Sequence, residues 1–249
     1  MVNSEIEKYG LIGKNISYSF SKQYFTDKFK RENLPNFSYE NFDIQDISLL
    51  QSIVAETLYL KGLNVTIPYK ESVFPFLDKI NKKALVIGAV NTIKITKNKK
   101  LKGYNTDCYG FKKSIKPYLK SHHKKALILG TGGASKAIAY VLHKLKIEYT
   151  YVSRNPKNEQ LGYDDLDKIF FDEHHLIINC TPLGTFPAID EFPPLPYSFF
   201  TSKHLAFDLI YNPSETLFLQ KARKCGAETL NGSQMLVFQA EKSWEIWNK

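Results

Sequence analysis

A lysine, an aspartate and several small polar residues stand at the ends of three short apolar or turn-flanked runs. The first run is Gly62-Leu63-Asn64-Val65-Thr66-Ile67-Pro68-Tyr69-Lys70. Residues 63–67 predict a short buried strand that stops at Pro68, because proline has no N–H to give to a sheet ladder. Lys70 then follows the strand tip, held by a rigid element at a sheet edge, a place that suits catalysis. The second run is Gly88-Ala89-Val90-Asn91-Thr92 and the third is Gly103-Tyr104-Asn105-Thr106-Asp107. Together they offer an amine, a carboxylate, amides and hydroxyls, which fits a small, polyhydroxylated, anionic substrate. Lys70 and Asp107 form a pair able to move one proton.

A second constellation could hold a nucleotide. Residues 125–129, Lys-Ala-Leu-Ile-Leu, predict a strand that runs into Gly130-Thr131-Gly132-Gly133-Ala134 and then into a helical pattern. Glycines there permit a tight turn and close approach of a pyrophosphate, and the helix N-terminus offers free N–H groups and a positive dipole end. The pattern is G-x-G-G-A, without the third glycine of the full dinucleotide fingerprint. A second strand over residues 148–152 ends at Ser153-Arg154-Asn155. An NAD enzyme carries an acidic residue near this point for the ribose hydroxyl. An arginine suits the 2′-phosphate of NADP through charge-assisted hydrogen bonds.

The elements that must position these groups alternate. Further strands are expected over residues 176–180, ending at Thr181, and 205–210, ending at Tyr211. Helices are expected over 164–170 and 215–224, which implies a parallel, doubly wound sheet. Residues 186–196 are proline-rich and read as a surface loop. A turn at Asn231-Gly232 leads into an amphipathic C-terminal helix.

Composition sets the class. The chain has 249 residues, enough for one large or two small domains, and 43% of them are hydrophobic. No apolar stretch is long enough to span a bilayer, and the charged N-terminus lacks the apolar core of a signal peptide. The three cysteines, Cys108, Cys180 and Cys225, are unclustered. That pattern implies reduced thiols in a cytoplasmic protein, with no metal site. The net charge of +9 comes from scattered lysines without a nucleic-acid motif. It draws in anionic substrate and cofactor and implies neither nucleic-acid nor membrane partners.

The segments 64–70, 88–92 and 105–107, in this order and spacing, resemble the substrate-domain motifs of the shikimate dehydrogenase (shikimate/quinate dehydrogenase) family. Residues 13–21, Gly-Lys-Asn-Ile-Ser-Tyr-Ser-Phe-Ser, match more loosely. Residues 232–239 resemble the family's G-x-x-M-L-V-x-Q. The resemblance implies an α/β protein with an open N-terminal substrate domain, residues 1–107 completed by 232–249, and a Rossmann-like NADP-binding domain over 108–231. C-terminal helices would return to the substrate domain. It implies reduction of 3-dehydroshikimate to shikimate with NADPH, in chorismate and aromatic amino acid biosynthesis, by a monomer or homodimer. By this resemblance Lys70 is the proton donor and Asp107 its partner. Ser19, Ser21, Thr66, Asn91, Gln239 and Tyr211 bind substrate, with Thr106 a further candidate. Expected cofactor contacts are Gly130, Gly132, Gly133, Ala134, Ser153, Arg154, Asn155, Thr181 and Gly232.

The chain departs from the family pattern at Tyr18, where histidine is common, at Lys22, where proline is common, and at Cys108, where glycine is common. These changes bear on substrate choice, and a quinate or dual quinate/shikimate dehydrogenase is the nearest other reading. A methylenetetrahydrofolate dehydrogenase would share the two-domain plan, but its tyrosine-lysine arrangement is not evident. A non-catalytic NADPH-binding regulator would not need an intact Lys70 and Asp107.

Overall fold

A computed structural model describes residues 6–17 and 19–249; Tyr18 lies outside the described residues. The chain divides into two compact units, one running up to Thr106 and including Ala240–Lys249, the other Asp107–Gln239.

The first unit is built on β1 (Glu7–Gly13), α1 (Phe20–Arg31), β2 (Phe37–Asp43), α2 (Leu50–Glu56), β3 (Leu60–Val65) and α3 (Tyr69–Ser72). It continues with β4 (Lys79–Ile80), α4 (Lys82–Ile87), β5 (Thr92–Ile95) and β6 (Leu101–Tyr104). The strands form one mixed sheet in the order β2-β1-β3-β5-β6-β4. β1 runs parallel to β2 and β3, while β5 is antiparallel to both β3 and β6. Successive strand residues point to opposite faces, so Leu11 joins an aromatic core with Phe25, Tyr39 and Trp247, while Ile12 joins an aliphatic core with Leu63, Val65 and Ile93. Gly62 leaves room for the Trp247 indole, whose Nε1 donates to the Ile93 carbonyl at 2.9 Å.

The strand expected over 63–67 is β3, and it ends two residues earlier. The Thr66 N–H still bonds the Ile12 carbonyl at 3.0 Å, but the Thr66 carbonyl accepts from the Tyr69 N–H at 2.9 Å and closes a turn. Ile67 is therefore 63% exposed, not buried.

The second unit contains α5 (Asp107–Ile115), β7 (Lys125–Leu129), α6 (Gly133–Lys144), β8 (Glu148–Val152), α7 (Lys168–Glu173) and β9 (Leu176–Asn179). β10 (Leu205–Asp208), α8 (Leu217–Lys224), β11 (Glu228–Leu230) and α9 (Ser233–Trp247) follow. Its sheet is wholly parallel, in the order β11-β10-β9-β7-β8. The central strands read as continuous apolar runs because both faces are covered; Leu127, Ile177 and Ala206 are fully buried.

Several boundaries differ from the sequence reading. β9 and β10 stop at Asn179 and Asp208 because those side chains capture the N–H groups of Thr181 and Ile210, each at 3.0 Å. The helix expected over 164–170 is α7, four residues later: Asp167 caps it by accepting from the N–H groups of Ile169 and Phe170. Ahead of it, Gly162 N–H bonds the Asp165 carboxylate at 2.7 Å in a turn. The helix expected from 215 begins after Thr216, whose hydroxyl takes the Leu219 N–H. β11 is an additional strand, and the expected C-terminal helices are the single helix α9. The boundary between the two units falls inside α9, residues 233–239 belonging to the second and the rest to the first.

Candidate active site

In the first unit, backbone hydrogen bonds draw the three chemistry-bearing segments together. The Lys70 carbonyl accepts from the Val90 N–H at 2.7 Å, the Asn91 carbonyl from the Val65 N–H at 2.8 Å, and the Tyr104 carbonyl from the Asn91 N–H at 3.0 Å. Lys70 is half-buried in α3, directly after the Thr66 turn. The Asn91 side chain then clasps the third segment. Its Oδ1 accepts from the Thr106 N–H at 2.7 Å, and its Nδ2 donates to Thr106 Oγ1 at 3.0 Å.

This clasp sits in a buried polar cluster. Asn64 Nδ2 donates to Ser243 Oγ at 3.0 Å, and the Ser243 hydroxyl lies 2.8 Å from Thr92 Oγ1 and 3.1 Å from Thr106 Oγ1. The Tyr39 phenol donates to Asn64 Oδ1 at 2.8 Å and shares a hydrogen bond with the Ser21 side chain. Burial holds the Tyr39 phenol well above its usual pKa, so it stays a neutral donor. Ser19 caps α1, its Oγ accepting from the Ser21 N–H at 3.3 Å. Of the expected substrate residues, Asn91, Thr106, Thr66, Ser21 and Ser19 belong to this unit, beside Lys70. Tyr39, Thr92 and Ser243, together with Asn64, were not among the expected site residues. Asn64 lay inside the first motif, and Ser243 could have been flagged as a hydroxyl on a helix that must pack.

Asp107, Tyr211 and Gln239 belong to the second unit. Asp107 opens α5 and is only 5% exposed, and a carboxylate is well placed in a first helical turn. Cys108 follows it as a buried helical residue. Tyr211 lies just past β10. Gln239 Nε2 donates to the Leu236 carbonyl at 2.9 Å within α9.

The second unit also carries the expected cofactor residues, at the C-terminal ends of its strands. Gly130 has a φ of +96°, and a Cβ there would lie 3.1 Å from Thr181 Cγ2, so glycine is required for the turn. Gly132 caps α6 with no side-chain hydrogen bond, and a Cβ built on it meets nothing within 4 Å. The first turn of α6, which includes Gly133 and Ala134, contains no acidic residue. Free N–H groups, the positive dipole end and open space in front of Gly132 fit a diphosphate.

At the end of β8, Ser153 and Asn155 form a turn in which the Asn155 N–H donates to Ser153 Oγ at 3.2 Å, leaving Arg154 exposed. Its charge reaches Tyr163, whose phenol burial pushes up to about 12 while the guanidinium pulls it down. Thr181 bonds Asn179 Oδ1 with both its N–H, at 3.0 Å, and its hydroxyl, at 2.7 Å. Gly232 lies directly ahead of α9. Among the described residues no cluster of three or more His, Cys, Asp or Glu could hold a metal ion, and no helix is long and apolar enough to cross a membrane.

Residues 11–93 match the family model of the shikimate dehydrogenase substrate binding domain. A curated NADP(+) shikimate dehydrogenase from Carboxydothermus hydrogenoformans is 39% identical over 262 aligned positions, covering 99% of this chain and 93% of that relative. The chain belongs to the shikimate dehydrogenase family. Solved shikimate dehydrogenases share its fold along the whole length. That of Aquifex aeolicus superposes with a TM-score of 0.88 at 33% identity, covering 100% of this chain and 94% of that one. The Thermus thermophilus enzyme, solved in complex with NADP(H) and shikimate, superposes with a TM-score of 0.84 at 27% identity, covering 97% and 93%. Residues 11–93, which match the substrate binding domain, fall within the first unit with its mixed sheet, and the second unit carries the wholly parallel, Rossmann-like sheet.

Proposed function

We propose that this chain is an NADP-dependent shikimate dehydrogenase, interconverting 3-dehydroshikimate and shikimate in aromatic amino acid biosynthesis. The observation that carries this reading is the hydrogen bonding that draws the three motif segments together as far as Thr106. Lys70 is tied to Val90, and Asn91 is clasped to Thr106 beside Asp107. When bound, NADPH supplies the hydride. The glycine turn from Gly130 to Ala134, with Thr181 and Gly232, would hold the cofactor with its diphosphate at the helix N-terminus, and Ser153, Arg154 and Asn155 would take its 2′-phosphate.

Lys70 gives its proton to the oxygen that develops negative charge at C3 of the substrate, and in the reverse direction it takes that proton back. Asp107 accepts a hydrogen bond from the same hydroxyl and keeps the ammonium aligned with it. Ser19 and Ser21 hold the substrate carboxylate with Tyr211 nearby, and Thr66, Asn91, Thr106 and Gln239 hold ring hydroxyls. The cytoplasm, a reducing compartment that suits three unclustered cysteines, is its compartment. The test is oxidation of NADPH by the purified chain with 3-dehydroshikimate, beside 3-dehydroquinate and NADH. Fastest turnover with NADPH and 3-dehydroshikimate is the expected result. Faster turnover with 3-dehydroquinate would make the chain a quinate dehydrogenase, and NADPH binding without turnover would make it a regulator.

A further inference from the structure

Asp208 is a buried carboxylate that the reaction does not use. It ends β10, is 0% exposed, and stands in register with Asn179 at the end of the neighbouring strand β9. Three donors converge on it. Asn179 Nδ2 donates to Oδ1 at 3.1 Å, the Ile210 N–H to the same oxygen at 3.0 Å, and the Thr216 hydroxyl to Oδ2 at 2.6 Å. Burial pushes this carboxyl up to about 7, while the three donors pull it down. The ionised form is therefore costly to bury, and an asparagine would avoid that cost.

What an asparagine would not do is accept at both positions. Asp208 Oδ1 already accepts from the Ile210 N–H and meets Asn179 as an acceptor, so the Asn179 amide takes one orientation, with Nδ2 turned inward and Oδ1 outward. That outward oxygen takes both the N–H and the hydroxyl of Thr181. Thr181 in turn lies against Gly130, where a Cβ would meet its methyl group at 3.1 Å. On its other side the carboxylate holds Thr216, the cap of α8, at the close of the loop that carries Tyr211.

We propose that Asp208 is a positioning residue for the cofactor turn: it sets the Asn179 amide, which sets Thr181 against Gly130. This rests on the reading of the Gly130–Ala134 turn as the NADP site. Cofactor affinity, not substrate affinity or folding, is the quantity it controls. The strand ends of open α/β sheets are where such ligands sit, so a misplaced Thr181 changes the cradle itself.

The test is fluorescence titration of NADPH and shikimate into the whole chain and its Asp208→Asn and Asn179→Ala variants, with thermal melting on the same samples. Asp208→Asn is expected to weaken NADPH binding by about tenfold or more, roughly the loss of one hydrogen bond in the cradle. Its Tm should hold or rise, because a buried charge is removed, and shikimate binding should stay within about twofold. Asn179→Ala should weaken NADPH binding to a similar degree, and the double variant should be no weaker than the worse single one. NADPH affinity within about twofold of the parent chain in both folded variants would overturn the proposal. So would multiplicative losses, or a failure of both variants to fold, which would make the pair a fold determinant only. The titration of the unaltered chain reports separately on whether this is an NADP site at all.

Discussion

The Tyr39 phenol donates a hydrogen bond to Asn64 Oδ1 at 2.8 Å, deep in the first unit. The bond fixes the Asn64 amide so that its Nδ2 faces the Asn91 carbonyl, Thr92 and Ser243. Through the Ser21 side chain, the same phenol joins this cluster to the start of α1. One buried hydroxyl thereby ties Ser21, Asn64, the Asn91 carbonyl, Thr92 and Ser243 into one cluster.

Tyr39→Phe removes that hydroxyl and keeps the ring stacked on Phe25, whose centroid lies 4.5 Å away. Asn64 Oδ1 is left buried without its donor, which costs about 1–3 kcal/mol. Urea unfolding should show a loss of that size. The KM for shikimate should rise severalfold, with the KM for NADPH unchanged. A variant with parental KM values would show that the cluster does not orient substrate groups.

Two glycines of the same turn should respond differently. Gly130→Ala forces a side chain into a left-handed conformation against Thr181 and should cost about 1–3 kcal/mol of stability. Gly132→Val meets open space at an ordinary φ of −78°, so it should cost no more than about 1 kcal/mol. It should nevertheless weaken NADPH binding, because the valine fills the space in front of the helix N-terminus. Calorimetry showing parental NADPH affinity in Gly132→Val would remove the diphosphate from this turn.

Arg154 stands exposed where NAD enzymes carry an acid. Losing a charge-assisted phosphate contact costs about 1.5–3 kcal/mol. Arg154→Ala should raise the KM for NADPH by roughly tenfold or more and leave that for NADH little changed. An equal loss with both cofactors would take Arg154 out of the phosphate site.

The base of the second unit should make stability fall with acid. His122, His123, His175 and His204 pack ring to ring, with centroids 4.4–5.4 Å apart. Burial, and next the neighbouring His122, lowers His123 to about 4; burial also lowers His174 and His204. Their folded pKa values lie below the unfolded value of about 6.5, so the unfolded chain binds more protons in between. Stability is full above about pH 6.5 and is lost as pH falls towards 4. Asp208 has the opposite sign: raised to about 7, it gives up its contribution as pH rises. Replacing His123 with Phe should remove roughly 1–3 kcal/mol of the pH dependence between pH 7 and 4. Urea midpoints across that range, with an unchanged slope against pH in His123→Phe, would refute the assignment.

What the sequence made legible was whatever is local. Lys70, the glycine turn and Arg154 could be read because each follows a short apolar run within a few residues. β7 and β8 keep their expected ends because alternating strand and helix signals frame them. The Thr92–Ser243 hydroxyl pair spans 151 positions, and nothing in either segment marks the other as its partner. Asp208 and Asn179 looked like mid-strand residues, because a buried polar side chain that captures the next N–H has no local signature. The start of α7 was misplaced because Asp164 and Asp165 resemble an N-cap as well as Asp167 does; tertiary packing of Phe171 decides between them.

The central claim is that Lys70 moves the proton with Asp107 as its partner, and steady-state kinetics of Lys70→Met, Asp107→Asn and the double variant test it most directly. Proton transfer by a positioned side chain is worth about 10²–10⁴-fold. Lys70→Met keeps the apolar stem and should lower kcat at least about a hundredfold while KM moves far less, because the transfer matters chiefly in the transition state. Asp107→Asn should also lower kcat strongly, and the double variant should be much less impaired than the product of the two losses. A folded Lys70→Met chain with near-parental kcat, or strictly multiplicative losses, would contradict the account.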